Sequence, residues 1–487
     1  MNIRKIMQSK TAESVKLALI VILFCSMLFL FYRYTEEKMR SVGGFAIGGE
    51  QVFPADKQWI FTGDTYRASL AEAESPYIFP SSIAFRSNNI TFSVSGQKNQ
   101  LVTVYNDLTG YVSEILSPSY SAEKVPYNDY ISAIKQSEYI LISYAYDFSA
   151  YILRIYCDRT ATDGFYNGDI CKIKKILLVE GENDKLCAYT VDSDNNAMYF
   201  SPTEKHISSA SDYSVAKAIP IAYTESKMLV ASSMSFESEF FSKPECGMAS
   251  DIVFTPDMQF YETGIINPVE FVGSFSKEEE ILKNDKILSV LKSFHVNTGL
   301  VRYYTDNNVI YFVDRNAELE ISSKGKIVYN GENGGLALSK ILNNSAVEFS
   351  FADKLTAAVA LMNSISRDII CGSGGLMLSY ISYNDTEDVL TFEFTYTFDT
   401  IPFSSIDKIS VEIGKDSVIH ASIPTYNFYR YSTRKIPLIS PEISYVITNV
   451  PQNVFIGDYR PEYVLSEKGN TASVAWVAVT NNSENND

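Results

Sequence analysis

Three short strings in this chain carry the residue types from which an acylating serine can be built. Ser132-Ala133-Ile134-Lys135 sets a hydroxyl and an amine three residues apart, Ser193-Asp194-Asn195 adds a second hydroxyl, and Asn297-Thr298-Gly299 follows in the same order. In such a centre Ser132 is the nucleophile, Lys135 the amine that activates it, and Ser193 the proton relay.

The order and approximate spacing are those of the S-x-x-K, S-D-N and K-T-G strings of penicillin-recognising serine acyltransferases. Three departures weigh against that chemistry. Position 297 is asparagine, so the third string lacks the cation that would hold a carboxylate. Ser193 falls in a polar turn between KLCAYTV and AMYF, where Asp-Asn is ordinary turn composition. Ser132 falls in a short helix just before a strand, with no helical cluster to bury a reactive pair, and S-x-x-K occurs again at Ser323 to Lys326. The reading is therefore a chain that is not an enzyme, with no catalytic and no cofactor-binding residue assigned.

Metal chemistry finds as little. His206, His295 and His420 are far apart in sequence, and the cysteines beyond Cys25, at 157, 171, 187, 246 and 371, have neither CxxC spacing nor an even number. Cys157 and Cys171 are placed to bridge a hairpin base, but buried thiols are the expectation. Asp158, Asp163, Asn167 and Asp169 do not fit an EF-hand loop. Gly372-Ser373-Gly374-Gly375 lacks the lysine of a phosphate loop and reads as a turn out of a helix. No metal and no cofactor are expected.

Leu17–Tyr32 is the one stretch greasy enough for a bilayer. It makes about 24 Å of helix, and Lys16, Arg33 and the interfacial Tyr32 and Tyr34 extend its reach. No small-x-small site follows it, so an uncleaved anchor over 17–34 is expected rather than a signal peptide. Arg4, Lys5, Lys10 and Lys16 precede it against Glu13 alone, which puts residues 1–16 in the cytoplasm and the bulk of the chain outside the cell membrane. The net charge of −17 excludes a nucleic-acid partner and a docking face for anionic lipid.

Behind the anchor, Gly43, Gly44, Gly48 and Gly49 mark a linker over 35–50. An α+β region, of one or two subdomains, is expected over 51–272. A strand at Ile90 to Val94 leads into a helix with Leu101, Val104, Tyr105, Leu108, Val112 and Ile115 on one face. A short helix at Tyr127 to Gln136 then precedes strands at 138–146, 150–156, 172–181 and 185–191. Over 273–349 a capping pair, Ser276 with Glu279, starts a helix with Ile287, Leu291 and Phe294 on one face, followed by strands at 300–304, 309–313, 318–322 and 326–330. Over 350–480 the pattern restarts with Ser350 and Asp353, a stripe of Leu355, Ala358, Met362, Ile365 and Ile369, and strands at 376–382, 390–398, 408–413 and 417–423. The fold class is thus α+β: antiparallel sheets each covered by a helix, with two tandem related C-terminal domains. The tail 481–487 is Asn, Ser and Glu, and disorder is expected there.

This layout resembles the YycH/YycI family. The likeness is carried, in order, by ITFSV (90–94), the helix Leu101 to Leu116, EYILISY (138–144), RYYTDNNVIYFVD (302–314), ISSKGKIVYNG (321–331), LTFEFTYTF with ISVEIGKDSVI (409–419), and a closing strand around Ala475-Trp476. The resemblance implies a single-pass accessory protein of a Gram-positive membrane. Its partners would be a two-component sensor histidine kinase governing cell-wall metabolism and a related accessory ectodomain protein. The alternative in the same location is an anchored binding or scaffold protein of the cell envelope or sporulation, unrelated to a kinase.

Overall fold

Alternating apolar residues in the middle of the chain build four antiparallel sheets in the computed structural model. It describes residues 77–480 apart from internal stretches, the longest being 158–171, 204–229 and 272–280. The expected tail 1–16, span 17–34, linker 35–50 and terminal tail 481–487 lie outside the described residues. So do Ser276 with Glu279, the Asp158 to Asp169 loop, His206 and Cys171. Among the described residues no helix is long and apolar enough to cross a membrane.

The first sheet uses β1 (Ser82–Ser87), β2 (Ile90–Ser95), β3 (Tyr120–Val125), β4 (Tyr139–Phe148), β5 (Ile173–Glu180), β6 (Leu186–Val191), β7 (Ala197–Pro202) and β8 (Val230–Ala231), in the order β3-β7-β6-β5-β4-β1-β2-β8. Its central strands are apolar on both faces because both are covered. Ile140, Ile142, Ile176 and Leu178 pack with Leu101 and Val104 of α1 (Lys98–Ile115) and with Ile152 and Leu153 of α3 (Ala150–Cys157). On the other face, Tyr139, Leu141, Leu177 and Val179 pack with Tyr130, Ile131 and Ile134 of α2 (Tyr127–Gln136).

The expected strand at 150–156 is a correction, since AYILRIYC is the helix α3. The Ser149 hydroxyl accepts from the Ile152 amide at 3.2 Å, capping that helix, whose apolar flank then packs on α1. A single covering helix per sheet is likewise too simple here, because this sheet carries helices on both sides.

A two-strand pair, β9 (Ser233–Met234) with β10 (Val253–Phe254), leads to β11 (Phe260–Pro268). Next comes the first helix-and-sheet unit. Here α4 (Asp285–Ser293) starts at Asn284, whose side chain accepts from the Lys286 and Ile287 amides. It is followed by β12 (Arg302–Asp306), β13 (Val309–Val313), β14 (Ala317–Ser322) and β15 (Lys326–Gly331). Short β16 (Leu336–Ala337) and α5 (Leu338–Ile341) connect to the second unit, α6 (Phe351–Ser364) and α7 (Arg367–Ile370), then β17 (Gly375–Asn384), β18 (Val389–Phe398), β19 (Ile401–Pro402), β20 (Ile409–Ile413) and β21 (Ser417–Pro424). The capping box read at Ser350 and Asp353 is present, with both reciprocal hydrogen bonds. Gly372, at φ 51°, turns the chain into β17.

The two units share one ten-stranded sheet, ordered β12-β13-β14-β15-β21-β20-β18-β17, with β16 beside β21 and β19 beside β18 off that path. The fourth strand of one unit pairs antiparallel with the last long strand of the other, Lys326 opposite Pro424 and Tyr329 opposite Ala421. Through that junction the meander β12 to β15 and the strands β17 to β21 are continuous in one sheet. One face of the sheet holds Phe312, Leu319, Ile321, Phe392, Phe394 and Val411, all buried, with α4 and α6 in the same core.

After Pro424 the chain leaves this sheet. β22 (Tyr426–Pro437), α8 (Pro441–Thr448), β23 (Ile456–Leu465) and β24 (Thr471–Thr480) form, with β11, a four-stranded sheet ordered β22-β11-β24-β23. Residues 426–480, expected inside the second unit, therefore belong to a separate layer. Its core gathers Phe241, Phe254, Tyr445, Tyr459 and Trp476.

Candidate functional site

The three strings that open the chemical reading are each held by neighbours of their own. Ser132 and Lys135 stand exposed on α2. There Ser132 Oγ donates to the Asn128 carbonyl at 2.7 Å, and the Lys135 ammonium lies 5.6 Å from the Phe236 ring centroid. Ser193 sits in the β6–β7 turn, its hydroxyl donating to Asp147 Oδ1 at 3.0 Å. The Asp192 carboxylate orders that turn by accepting from the Asp194 and Asn196 amides, and Asn195 takes φ 62°. Asn297 folds onto its own turn, accepting from the Gly299 amide at 3.0 Å.

Cys157, Cys187, Cys246 and Cys371 are thiols, the last three buried. His420 Nδ1 faces Asn330 Oδ1 at 2.9 Å. Among the described residues no three His, Cys, Asp or Glu side chains gather as a metal site.

Sequence reasoning missed a buried ionic seam. Lys174 and Lys175 are consecutive on β5 and both buried. Lys175 Nζ meets Asp251 Oδ2 at 2.8 Å, and the Tyr130 phenol donates to the same oxygen at 2.8 Å. Lys174 Nζ meets Asp458 Oδ2 at 3.3 Å. Arg460 then bridges Asp458 at 2.9 Å and Glu462 at 2.8 Å, donates to the Ala145 carbonyl, and lies over the Tyr146 ring.

Of these groups Lys175, Asp251, Asp458 and Arg460 line a cleft of about 690 Å³, open solvent included, which Thr400, Ile401 and Pro402 also border. Burial alone would raise the Asp458 carboxyl, but Lys174, Arg460 and Lys175 together hold it well below the usual carboxylate range. Every cation of the seam has a carboxylate, so the arrangement reads as a lock between β5 and β23. Its signal was present in the sequence: Asp458, Arg460 and Glu462 alternate along one strand face, and two lysines interrupt the apolar run of β5.

The outer surface holds a different kind of feature. The ten-stranded sheet has two ends. At one, β17 is engaged by the first sheet's side of the molecule, the Leu378 amide donating to the Tyr77 carbonyl at 2.9 Å. At the other, β12 is the end strand among the described residues, and Leu300, Tyr304 and Val313 near it are exposed, with the Tyr304 and Tyr311 rings stacked at 4.9 Å. A second apolar strip, Ile443, Val446 and Ile447 on α8, is also exposed.

No family model matches the chain, and no curated protein matches it in sequence. Among solved structures, the crystal structure of YycH from Bacillus subtilis is similar at a TM-score of 0.48 and 11% identity, over 87% of this chain and 97% of that one. The crystal structure of an uncharacterized protein from Eubacterium rectale ATCC 33656 is similar at a TM-score of 0.32 and 12% identity, over 49% of this chain and 84% of that one. At these identities and scores neither likeness carries a residue's role across.

Proposed function

We propose that this chain is a membrane-anchored extracytoplasmic regulator that modulates a two-component sensor histidine kinase controlling cell-wall metabolism. It acts by contact of its anchor and its folded body with the kinase and with a related accessory ectodomain protein. The observation that carries the reading is the ordered resemblance of sequence to the YycH/YycI family, running through both helix-and-sheet units. The dispersal of Ser132 and Ser193 to separate partners is consistent with it. Such contact regulates only if it favours one kinase conformation over another, because equal affinity for both shifts nothing.

The test is crosslinking of the full chain in its own membranes, followed by identification of what is captured, with the Leu17 to Tyr32 segment native or replaced. A sensor kinase recovered with the native segment and lost with the replaced one supports the reading. A fluorescent penicillin that labels the protein but not Ser132→Ala would overturn it.

A further inference from the structure

We infer that the cleft beside the ionic seam binds a neutral, hydroxyl-rich ligand of the sugar class. A buried ammonium must hand each of its three N–H donors to an acceptor. The Lys175 side chain is 7% exposed, and among the described residues Asp251 is the one acceptor its Nζ meets, at 2.8 Å. Two N–H donors of Lys175 are thus left for the cleft that it lines. Arg460, on the same cleft, has one left: Nε and Nη2 reach Glu462, while Nη1 reaches Asp458 and the Ala145 carbonyl.

Hydroxyls stand beside Lys175 because of strand register. Ser143 on β4 is the cross-strand partner both of Lys175 on β5 and of Ser82 on β1. Ser82, Ser143 and Lys175 therefore form one row, and all three border the cleft. Thr400 borders it as well, and its buried hydroxyl has no hydrogen-bond partner among the described residues.

The charges of the seam select against a charged ligand. Lys174, Lys175 and Arg460 are balanced by Asp251, Asp458 and Glu462. An anion at Lys175 would meet Asp251 and Asp458, and a cation would meet Lys175 and Arg460, each adding a buried charge with no counterion left for it. A hydroxyl is neutral and both accepts and donates. It can take an N–H from Lys175 while donating to a neighbouring carboxylate or serine oxygen, and a sugar repeats that group along the row. Tyr261, Ile401 and Pro402 give the cleft an apolar border suited to the C–H face of a sugar ring.

The test uses the full chain in a detergent without a sugar head group, with binding read by saturation-transfer NMR. The neutral probes are the methyl glycosides of glucose, galactose and mannose, and N-acetylglucosamine; glucuronate and glucosamine are the charged ones. At least one neutral probe is expected to bind, and both charged probes to bind roughly tenfold more weakly or worse. Ser143→Ile, which fills the row, is expected to weaken the neutral probe roughly tenfold or more, and Thr400→Val, which keeps the shape and removes the hydroxyl, roughly fivefold. Far-ultraviolet circular dichroism matching the parent's shows that each variant is folded, and Thr400→Val decides the matter if Ser143→Ile is not. The inference is overturned if no neutral probe gives a transfer signal, which leaves water as the partner of Lys175, if a charged probe binds as tightly as the neutral ones, or if the folded variants bind like the parent. It does not rest on the regulatory reading, and capture of a kinase is scored in a different assay, so either can fail alone.

Discussion

Lys174 stands between two aspartates that the fold treats in opposite ways. On Asp147 burial prevails over Lys174, Ser193 and Lys172, and the carboxyl is raised. On Asp458 burial is overcome by Lys174, Arg460 and Lys175, and the carboxyl is depressed. A depressed folded value contributes stability that is present above the unfolded pKa, about 3.9, and lost as pH falls through the folded one. Asp458→Asn should therefore lower stability at neutral pH by about 3 kcal/mol in denaturant unfolding, the deficit narrowing below about pH 4. A raised folded value works the other way, its stabilisation present below the unfolded pKa and lost as pH rises. Asp147→Asn should accordingly match or exceed the parent's stability at neutral pH, with that advantage gone in acid. A clear loss for Asp147→Asn at neutral pH would contradict this assignment.

At the scale of elements, the best-read helix is the one with a side-chain cap visible in the sequence. Ser350 and Asp353 satisfy each other's backbone amides at 3.2 and 2.9 Å, and Asp353 is buried, so losing the hydroxyl also strips a partner from a buried carboxylate. Ser350→Ala should cost about 1–2 kcal/mol in thermal or urea unfolding.

Strands flanked by Asn, Asp and Gly turns were legible for the same local reason, and all eight strands assigned to the two units occur close to their expected bounds. The stretch AYILRIY was not, because seven apolar-rich residues fit either period, and the decision rests on its packing against α1. The α8 helix was also invisible, since its exposed Ile443, Val446 and Ile447 mark no inward face.

At the scale of the whole molecule, what the sequence could not disclose is which strands become neighbours. Meanders follow from local turns, but the β15–β21 junction and the return of β22, β23 and β24 to β11 are long-range choices made by burial. The candidate site shared that fate: its ion pairs join residues 174 and 458, which no local pattern relates.

The continuity of the main core through the first, ten-stranded and C-terminal sheets predicts coupled unfolding. Trp476 is buried against Tyr459 and Phe254, so in a Trp59→Phe chain its fluorescence reports the C-terminal sheet. That transition should coincide with loss of far-ultraviolet circular dichroism in urea, and two separated midpoints would show that the layers unfold independently.

The central claim is regulation of a kinase by contact. Its most direct test is the kinase's autophosphorylation rate in reconstituted vesicles, with and without saturating full-length chain. A change of about fivefold or more is expected, the size of an ordinary coupling between two conformations. A rate unchanged at saturation would contradict it.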